Sequence, residues 1–189
     1  MNLISLMYLF FRLAPFIIVS FFVLGSLING EIKGLIFLVG LCFSMVITYL
    51  ISNMLKEEQE NKHLMCDAFS MNSVINNKFP IGLAIICHTF FYLVFPIAKY
   101  RLEIYNIPVL IGFPLLIIAE FVWNTKYNCF GAMQCIGTII VSGGLGVAYS
   151  AMIDSLNLPR LLHTSAGSDR QMCNKPSNQK FRCYAKKAT

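Results

Sequence analysis

The amino-acid sequence predicts an all-α fold: a polytopic membrane helix bundle of about five spans, followed by a small basic tail. Two observations indicate this fold class, the composition and the length of the apolar runs. The 189 residues are 57% hydrophobic and only 13% charged, with a mean hydropathy of +0.65. A water-soluble domain has about 25% charged residues. The apolar side chains must therefore face lipid or one another, which excludes an ordinary soluble domain.

Five apolar runs have about the length needed to cross the core of a bilayer, which takes roughly 20 helical residues. They are residues 13–28, 34–55, 80–97, 107–123 and 132–153. We expect residues 1–153 to form the transmembrane bundle and residues 154–189 to form the basic polar tail.

The first run is the shortest, but residues 2–11 are also largely apolar, and the Arg12 side chain can extend to the lipid headgroups. An uncleaved first span is therefore expected. A cleaved signal peptide is the alternative, because Gly25 follows the apolar core, although the positive charge stands late for a signal sequence. Asn29-Gly30 is a strong turn signal and predicts an antiparallel hairpin between the first two spans.

Residues 56–78 are the one sizeable internal loop, and two interpretations are open. The segment lies in the membrane interface as an amphipathic element, or it packs on the ends of the spans. The third and fourth runs are bounded by aromatic side chains, as in the belts that mark membrane interfaces. These are Tyr100, Tyr105, Trp123 and Tyr127.

Five spans place the two termini on opposite sides of the membrane. On the N-terminal side lie five of the fifteen Lys and Arg: Arg12, Lys56, Lys62, Lys78 and Lys126. On the other side lie Lys33, Lys99, Arg101 and the seven in the tail: Arg160, Arg170, Lys175, Lys180, Arg182, Lys186 and Lys187. The positive-inside rule therefore favours a cytoplasmic tail. If the tail is left out, the N-terminal side has five Lys and Arg and the other side has three. The predicted orientation therefore depends on the tail.

The fifth run carries small residues at helical spacing. Ser142, Gly146 and Ser150 recur every four residues, and Gly144 with Ala148 adds a parallel row. Such rows let another helix approach closely, within the bundle or between two copies of the chain. A phosphate-binding glycine loop needs a preceding strand and an aqueous site, and an apolar span offers neither. The pattern therefore predicts helix packing.

His88 and Glu120 are the ionisable residues inside the apolar runs. Intramembrane ionisable groups are costly, and they are by default candidates for proton or ion transport. If the third and fourth runs are antiparallel, the two residues differ in depth by about 6 Å at 1.5 Å per residue. In the plainer interpretation Glu120, within one turn of Trp123, reaches the headgroups and neutral His88 donates to a nearby carbonyl.

Recognisable catalytic and metal-binding motifs are missing from the sequence. Residues 163–169 include the residue types of a nucleophilic triad, but adjacent positions on a Ser/Gly segment cannot hold triad geometry. HExxH, paired CxxC and Walker sequences do not occur. We therefore expect no enzymatic activity, no cofactor, no metal and no specific binding of nucleic acid.

The seven cysteines are odd in number and scattered, unlike those of a disulfide scaffold. Three of them lie in apolar runs and are interpreted as small hydrophobic residues: Cys42, Cys87 and Cys135. The other four lie in polar stretches: Cys66, Cys129, Cys173 and Cys183.

The end of the tail has the pattern of a small hairpin. A Lys-Pro-Ser-Asn turn signal lies between Cys173 and Cys183, and apolar and polar residues alternate from Lys180 to Ala185. A tight turn at Pro176 would pair Cys173 near Gln179, so a Cys173–Cys183 disulfide requires a looser, nine-residue loop. A metal site and reduced cysteines in a packed strand are the alternatives.

A multi-pass body ending in such an element resembles the small membrane and minor capsid proteins of large double-stranded DNA viruses, of the chlorella-virus or giant-virus type. The resemblance covers residues 169–187, and the matching positions are Cys173, Pro176, Ser177, Phe181, Cys183 and Tyr184. It implies a virion component in an internal membrane or a host endomembrane, with the tail contacting the capsid, and it implies no catalytic residues.

The sequence therefore leads us to expect a structural membrane protein. Its partners are expected to be the lipid bilayer and, through the basic tail, capsid or other virion proteins; a homo-oligomer is left open. The alternative is a small channel or transporter that uses His88 and Glu120.

Overall fold

The computed structural model describes the backbone of residues 3–30, 32–54, 79–156, 171–174 and 182–185, and the side chains of residues 10, 13–30, 32–54 and 79–156. These residues form five α-helices: α1 Leu3–Ile28, α2 Lys33–Met54, α3 Ile81–Lys99, α4 Ile107–Lys126 and α5 Ala132–Ser155. Helices α2 to α5 are long and apolar enough to span a membrane. The predicted helix bundle and its membrane character are confirmed.

Helix α1 is longer than the 13–28 run because it continues through the apolar residues before Arg12 and begins at Leu3. The predicted turn at its end is present. Gly30 has a φ of 65°, in the left-handed region that glycine enters without steric cost, and the Asn29 side chain donates to the Gly25 carbonyl at 2.8 Å. The turn is closed by Ser26, whose hydroxyl accepts the backbone N–H of Gly34 at 3.0 Å. Helices α1 and α2 therefore form an antiparallel hairpin.

In contrast to a soluble protein, α2 exposes large apolar side chains and buries small and polar ones. Its outer face exposes Leu35, Val39, Phe43, Val46 and Leu50. Its inner face buries small and polar residues, among them Gly40, Ser44, Thr48 and Ser52. Helices that pack in lipid have this arrangement, because lipid solvates the large apolar side chains and small residues allow close packing.

Helix α3 lies at the centre of the bundle and contacts the other four helices, α5 most extensively. Seven consecutive residues, Leu83 to Thr89, are all buried, so the helix has no lipid-facing side at that level. Helix α4, by contrast, buries only Glu120 and Asn124 among its residues. Polar side chains of the bundle therefore face inward from the peripheral helices toward α3.

The two ends of the bundle are defined by contacts of α3. Where α3 begins, Leu83 and Cys87 pack with Cys129 and Phe130 of the α4–α5 connection. Where it ends, Lys99 forms an ion pair with Asp154 of α5. Helices α3 and α5 therefore run in the same direction, and the chain leaves α5 at the end of the bundle where α3 stops.

Two short strands lie in the tail, β1 Gln171–Asn174 and β2 Arg182–Ala185, and they pair antiparallel. Cys173 is opposite Cys183, and Met172 is opposite Tyr184. The predicted hairpin is present, and its register is that of the looser loop, not that of a tight turn at Pro176.

Candidate functional site

Buried polar side chains line the interior of the bundle, and none of them exposes more than 2% of its surface. We refer to them as the buried polar set: Ser44, Thr48 and Ser52 on α2, His88 and Thr89 on α3, Glu120 and Asn124 on α4, and Thr138, Ser142 and Ser150 on α5. Buried polar groups between spanning helices either hydrogen-bond within the protein or mark a route for ions or protons.

The hydroxyl groups of the buried polar set fall into two classes. Thr89, Thr138 and Ser142 donate to the carbonyl four residues earlier in their own helix, at 2.6 to 2.7 Å. Three other hydroxyl oxygens have no hydrogen-bond partner among the described residues, those of Ser44, Thr48 and Ser150. An unpaired buried hydroxyl costs free energy, so this second class is the part of the interior that packing alone does not explain.

Glu120 and Asn124 form a pair on the inward face of α4. The Asn124 Nδ2 donates to the Glu120 backbone carbonyl at 2.8 Å and to its carboxylate Oε2 at 3.1 Å. A Cβ at Gly82 of α3 would lie 3.6 Å from the other carboxylate oxygen, so the carboxylate points at the start of α3. The expectation that Glu120 reaches the headgroups is wrong, because residues four apart share one helix face and this face is turned inward.

His88 is fully buried in the middle helix. Its ring centroid lies 6.3 Å from that of Phe37 on α2 and 6.4 Å from that of Tyr92, nearly parallel to the latter. The imidazole is close to the backbone of Ser142. However, neither ring nitrogen makes a hydrogen bond of normal geometry within the described part of the chain. The predicted bond from His88 to a neighbouring carbonyl is therefore not found there.

His88 and Glu120 are not brought together. The Glu120 carboxylate lies beside Gly82, and His88 is six residues further along α3, about 9 Å at 1.5 Å per residue. The depth difference expected from the sequence is present and somewhat larger. A direct proton transfer between the two side chains would need intermediate groups.

The small-residue rows of α5 have different surroundings. Ser142, Gly146 and Ser150 are buried, and a Cβ at Gly146 would stand 2.6 Å from the His88 carbonyl oxygen and 3.2 Å from the Tyr92 nitrogen. The helix approached closely by this row is therefore α3.

The parallel row of α5, Gly144 and Ala148, lies on the exposed side of the helix. A Cβ at Gly144 would meet nothing within 4 Å. This second row does not pack against any of the described residues.

A polar cluster marks the base of the tail. The Asp154 carboxylate accepts from Lys99 Nζ and, at 2.5 Å, from the Tyr100 hydroxyl. The hydrogen bond to Asp154, with smaller contributions from burial and the carboxylate charge, raises the pKa of Tyr100 to about 12. The cluster ties the end of α3 to the end of α5, where the basic segment begins.

The predicted tail residues are only partly described. Cys173, Cys183 and Tyr184 lie on the paired strands β1 and β2. Pro176, Ser177 and Phe181 lie outside the described residues, as do residues 55–78 and the Ser/Gly segment at 163–169.

The cysteines of the bundle differ in covalent state. Cys42, Cys87 and Cys135 are free thiols, and Cys42 is exposed on the outer surface. Cys129, in the connection between α4 and α5, is disulfide-bonded. This bond was not predicted, because the pairing of cysteines distant in the chain depends on topology.

Two further features of the interior were not predicted from the sequence: the small and polar inner face of α2, and the hydrogen bond between Asn124 and Glu120. A signal for α2 was present: Gly40, Ser44, Thr48 and Ser52 recur every four residues, the same pattern that identified the packing face of α5.

Among the described residues there is no group of three or more His, Cys, Asp or Glu side chains that could hold a metal ion. Comparison with known proteins finds no matching family, no matching curated protein and no matching solved structure. The class that the fold defines is therefore a helical membrane bundle with a polar interior and a basic tail.

Proposed function

We propose that the chain is a structural integral membrane protein, of a viral internal membrane, that docks a protein shell through its basic tail. The observation that carries the proposal is the β1–β2 pair within a strongly charged segment. Residues 154–189 contain seven Lys and Arg against two Asp, a net charge of +5 by subtraction. The helices supply the anchor, and the tail supplies a surface complementary to an acidic partner.

A two-stranded sheet is incomplete as a structural unit. An isolated strand pair is at best marginally stable in water, and both of its edges present unpaired backbone N–H and C=O groups. A partner that adds a strand to one edge satisfies those groups, and positive side chains next to the edge select an acidic partner. The pair is therefore suited to docking by strand addition.

The base of the tail supports the anchoring role. The bonds from Lys99 and Tyr100 to Asp154 join α3 and α5 where the tail begins. A load applied to the tail is therefore transmitted to two helices of the bundle, including the central one.

The test compares the full chain with two tail variants. One variant lacks residues 172–189; the other carries residues 171–185 in scrambled order, which keeps charge and composition but removes the strand pattern. Membrane insertion is measured by resistance to alkaline extraction, and docking by the amount of chain in gradient-purified particles. We expect both variants to insert normally and to be lost from particles. Normal incorporation of the truncated chain would refute the proposal, and normal incorporation of the scrambled chain would show that charge alone suffices.

A second function, a small channel or transporter, is favoured by one observation. The buried polar set places an acid, an imidazole and three hydroxyls that have no hydrogen-bond partner among the described residues inside a membrane bundle. Interior groups of this kind line ion and proton routes. Proton leak and cation flux are measured in liposomes for His88→Ala and Glu120→Gln, with the exposed Glu103→Gln as matched control. Transport requires that the first two variants lose flux and that the control keeps it; absent or unchanged flux counts against this function.

A further inference from the structure

Cys173 and Cys183 occupy facing positions of the strand pair in the tail. Strands β1 and β2 run antiparallel, and the backbone register places Cys173 directly opposite Cys183. In an antiparallel pair, residues directly opposite each other have Cα atoms about 4.5 to 5.5 Å apart. A disulfide needs a Cα separation of about 4.4 to 6.8 Å, so this register meets the backbone requirement for a bond.

The other register that the sequence left open would not permit a bond. A tight turn at Pro176 would pair Cys173 near Gln179, and Cys183 would stand four residues further along its strand, about 13 Å away. Cysteines whose Cα atoms are more than about 7 Å apart cannot be bridged without moving the backbone. The backbone of β1 and β2, four described residues each, adopts the register that permits the bond.

The remaining cysteines of the described chain lie in the bundle. Cys42, Cys87 and Cys135 are free thiols within its helices. Cys129 is disulfide-bonded and packs at the end of the bundle where α3 begins, whereas the tail leaves α5 at the end where α3 stops. Within the described residues, the position opposite each tail cysteine is therefore held by the other tail cysteine.

The two faces of the strand pair differ in chemistry. Alternate residues of a strand lie on opposite faces, so Cys173 and Cys183 share one face with two uncharged residues, Gln171 and Ala185. The other face carries one apolar, one amide, one aromatic and one basic residue: Met172, Asn174, Tyr184 and Arg182. A bond on the cysteine face leaves the basic face and both edges of the pair available to a partner.

We propose that Cys173 and Cys183 form a reversible cross-strand disulfide and that this bond controls docking by the tail. An isolated strand pair is at best marginally stable in water. Nine residues separate the two cysteines. Closing a loop of this size lowers the chain entropy of the unpaired form and favours the paired form about a hundredfold. The control of docking rests on the proposed docking function, whereas the bond itself does not.

The bond forms by oxidation of two thiols. They lose two protons and two electrons as the S–S bond forms, and glutathione disulfide accepts both and becomes two molecules of glutathione. Excess glutathione reverses the reaction, so the bond is present in an oxidising compartment and absent in a reducing one. The oxidised tail presents a preformed edge to a partner strand. The reduced tail has to order its strands on binding, which lowers its apparent affinity by up to about a hundredfold.

The bond is tested by peptide mapping of the purified full chain, equilibrated with glutathione buffers and then treated with a thiol-blocking reagent. Trypsin separates the two cysteines onto residues 171–180 and 183–186, because it cuts after Lys and Arg except where Pro follows, as at Lys175. In glutathione disulfide the unreduced digest should contain these two peptides linked, and excess glutathione should abolish the linked pair. Absence of the linked pair, or either peptide linked to the one that carries Cys129, would overturn the proposal.

The control of docking is tested with Cys173→Ser, Cys183→Ser and the double variant. The matched control is Cys42→Ser, which removes an exposed free thiol of α2. Resistance to alkaline extraction checks that every variant still inserts. Gradient-purified particles are washed in glutathione disulfide or in excess glutathione, and the retained fraction of the chain is measured.

We expect the wild type and the Cys42→Ser control to be retained in glutathione disulfide and released by excess glutathione. The two single variants and the double variant should be lost to the same extent in both buffers, because removing either cysteine removes the whole bond. Additive losses in the double variant, or its retention in glutathione disulfide, would overturn the control of docking by the bond. A wild type that carries the linked peptides but does not enter particles would refute the docking function and its control together, and the bond would stand.

Discussion

Replacing Gly146 by alanine tests the closest helix contact in the bundle, and Gly144→Ala is its matched control two residues away. An added Cβ at Gly146 would stand 2.6 Å from the His88 carbonyl oxygen, whereas ordinary contact begins near 3.4 Å. Because the obstructing atoms are backbone, no side chain can rotate away, and α3 and α5 must separate by the difference, 0.8 Å. Overpacking of this kind costs about 1–3 kcal/mol.

The control variant Gly144→Ala is expected to change the free energy of unfolding in the opposite direction. A Cβ at Gly144 meets nothing within 4 Å. Alanine there removes the helix penalty of glycine, about 0.5–1 kcal/mol. The two single-methyl variants should therefore differ in free energy of unfolding by about 1.5–4 kcal/mol, the sum of the two ranges.

The measurement is unfolding of the purified full chain in mixed micelles by titration with sodium dodecyl sulfate, followed by far-ultraviolet circular dichroism. We expect a lower midpoint for Gly146→Ala and an unchanged or higher one for Gly144→Ala. Equal midpoints for the two variants would refute the assignment of the Gly146 row to the α3 contact.

Two further predictions concern bonds between helices. Tyr149→Phe removes the hydroxyl that donates to the Ile36 carbonyl at 2.8 Å and should cost about 0.5–1.5 kcal/mol in the same unfolding titration; a loss smaller than the error would contradict a role for this bond in joining α2 to α5. Asp154→Asn should lower the pKa of Tyr100 from about 12 toward 10.0, because the charged carboxylate that accepts the hydrogen bond from the Tyr100 hydroxyl is gone. Since the raised pKa means that the folded state holds this proton more tightly, the stability from the bond is present below about pH 10 and is lost as the pH rises through about 12. Spectrophotometric tyrosine titration, with Tyr100→Phe subtracted, measures the shift, and an unmoved Tyr100 would contradict the bond.

The positions of the helices were predictable because span length and turn chemistry are local properties of the sequence. The 34–55 run became α2 Lys33–Met54, and the Asn29-Gly30 signal became the turn before it. The Ser142, Gly146 and Ser150 row was also predictable, since i,i+4 spacing defines a helix face without knowledge of the partner. The spacing does not show which helix packs against this face; the structure identifies it as α3.

The direction of a polar side chain was not predictable in the same way. Glu120 lies within one turn of Trp123, which suggested access to the headgroups, but its face is decided by how α4 is rotated against α3. The Cys129 disulfide was not predictable either, because a sequence alone does not show which cysteines the fold brings within bonding distance. The predicted orientation of the termini and the docking role of the tail remain predictions.

The central position of α3 has a consequence for biogenesis. The helix enters the membrane before α4 and α5 have been synthesised, although its contacts with α5 are the most extensive in the bundle. During that interval His88 and the backbone that later receives Gly146 have no packing partner on that side. A nascent chain arrested before α5 would therefore leave His88 and the α3 backbone opposite Gly146 uncovered on that side of the helix.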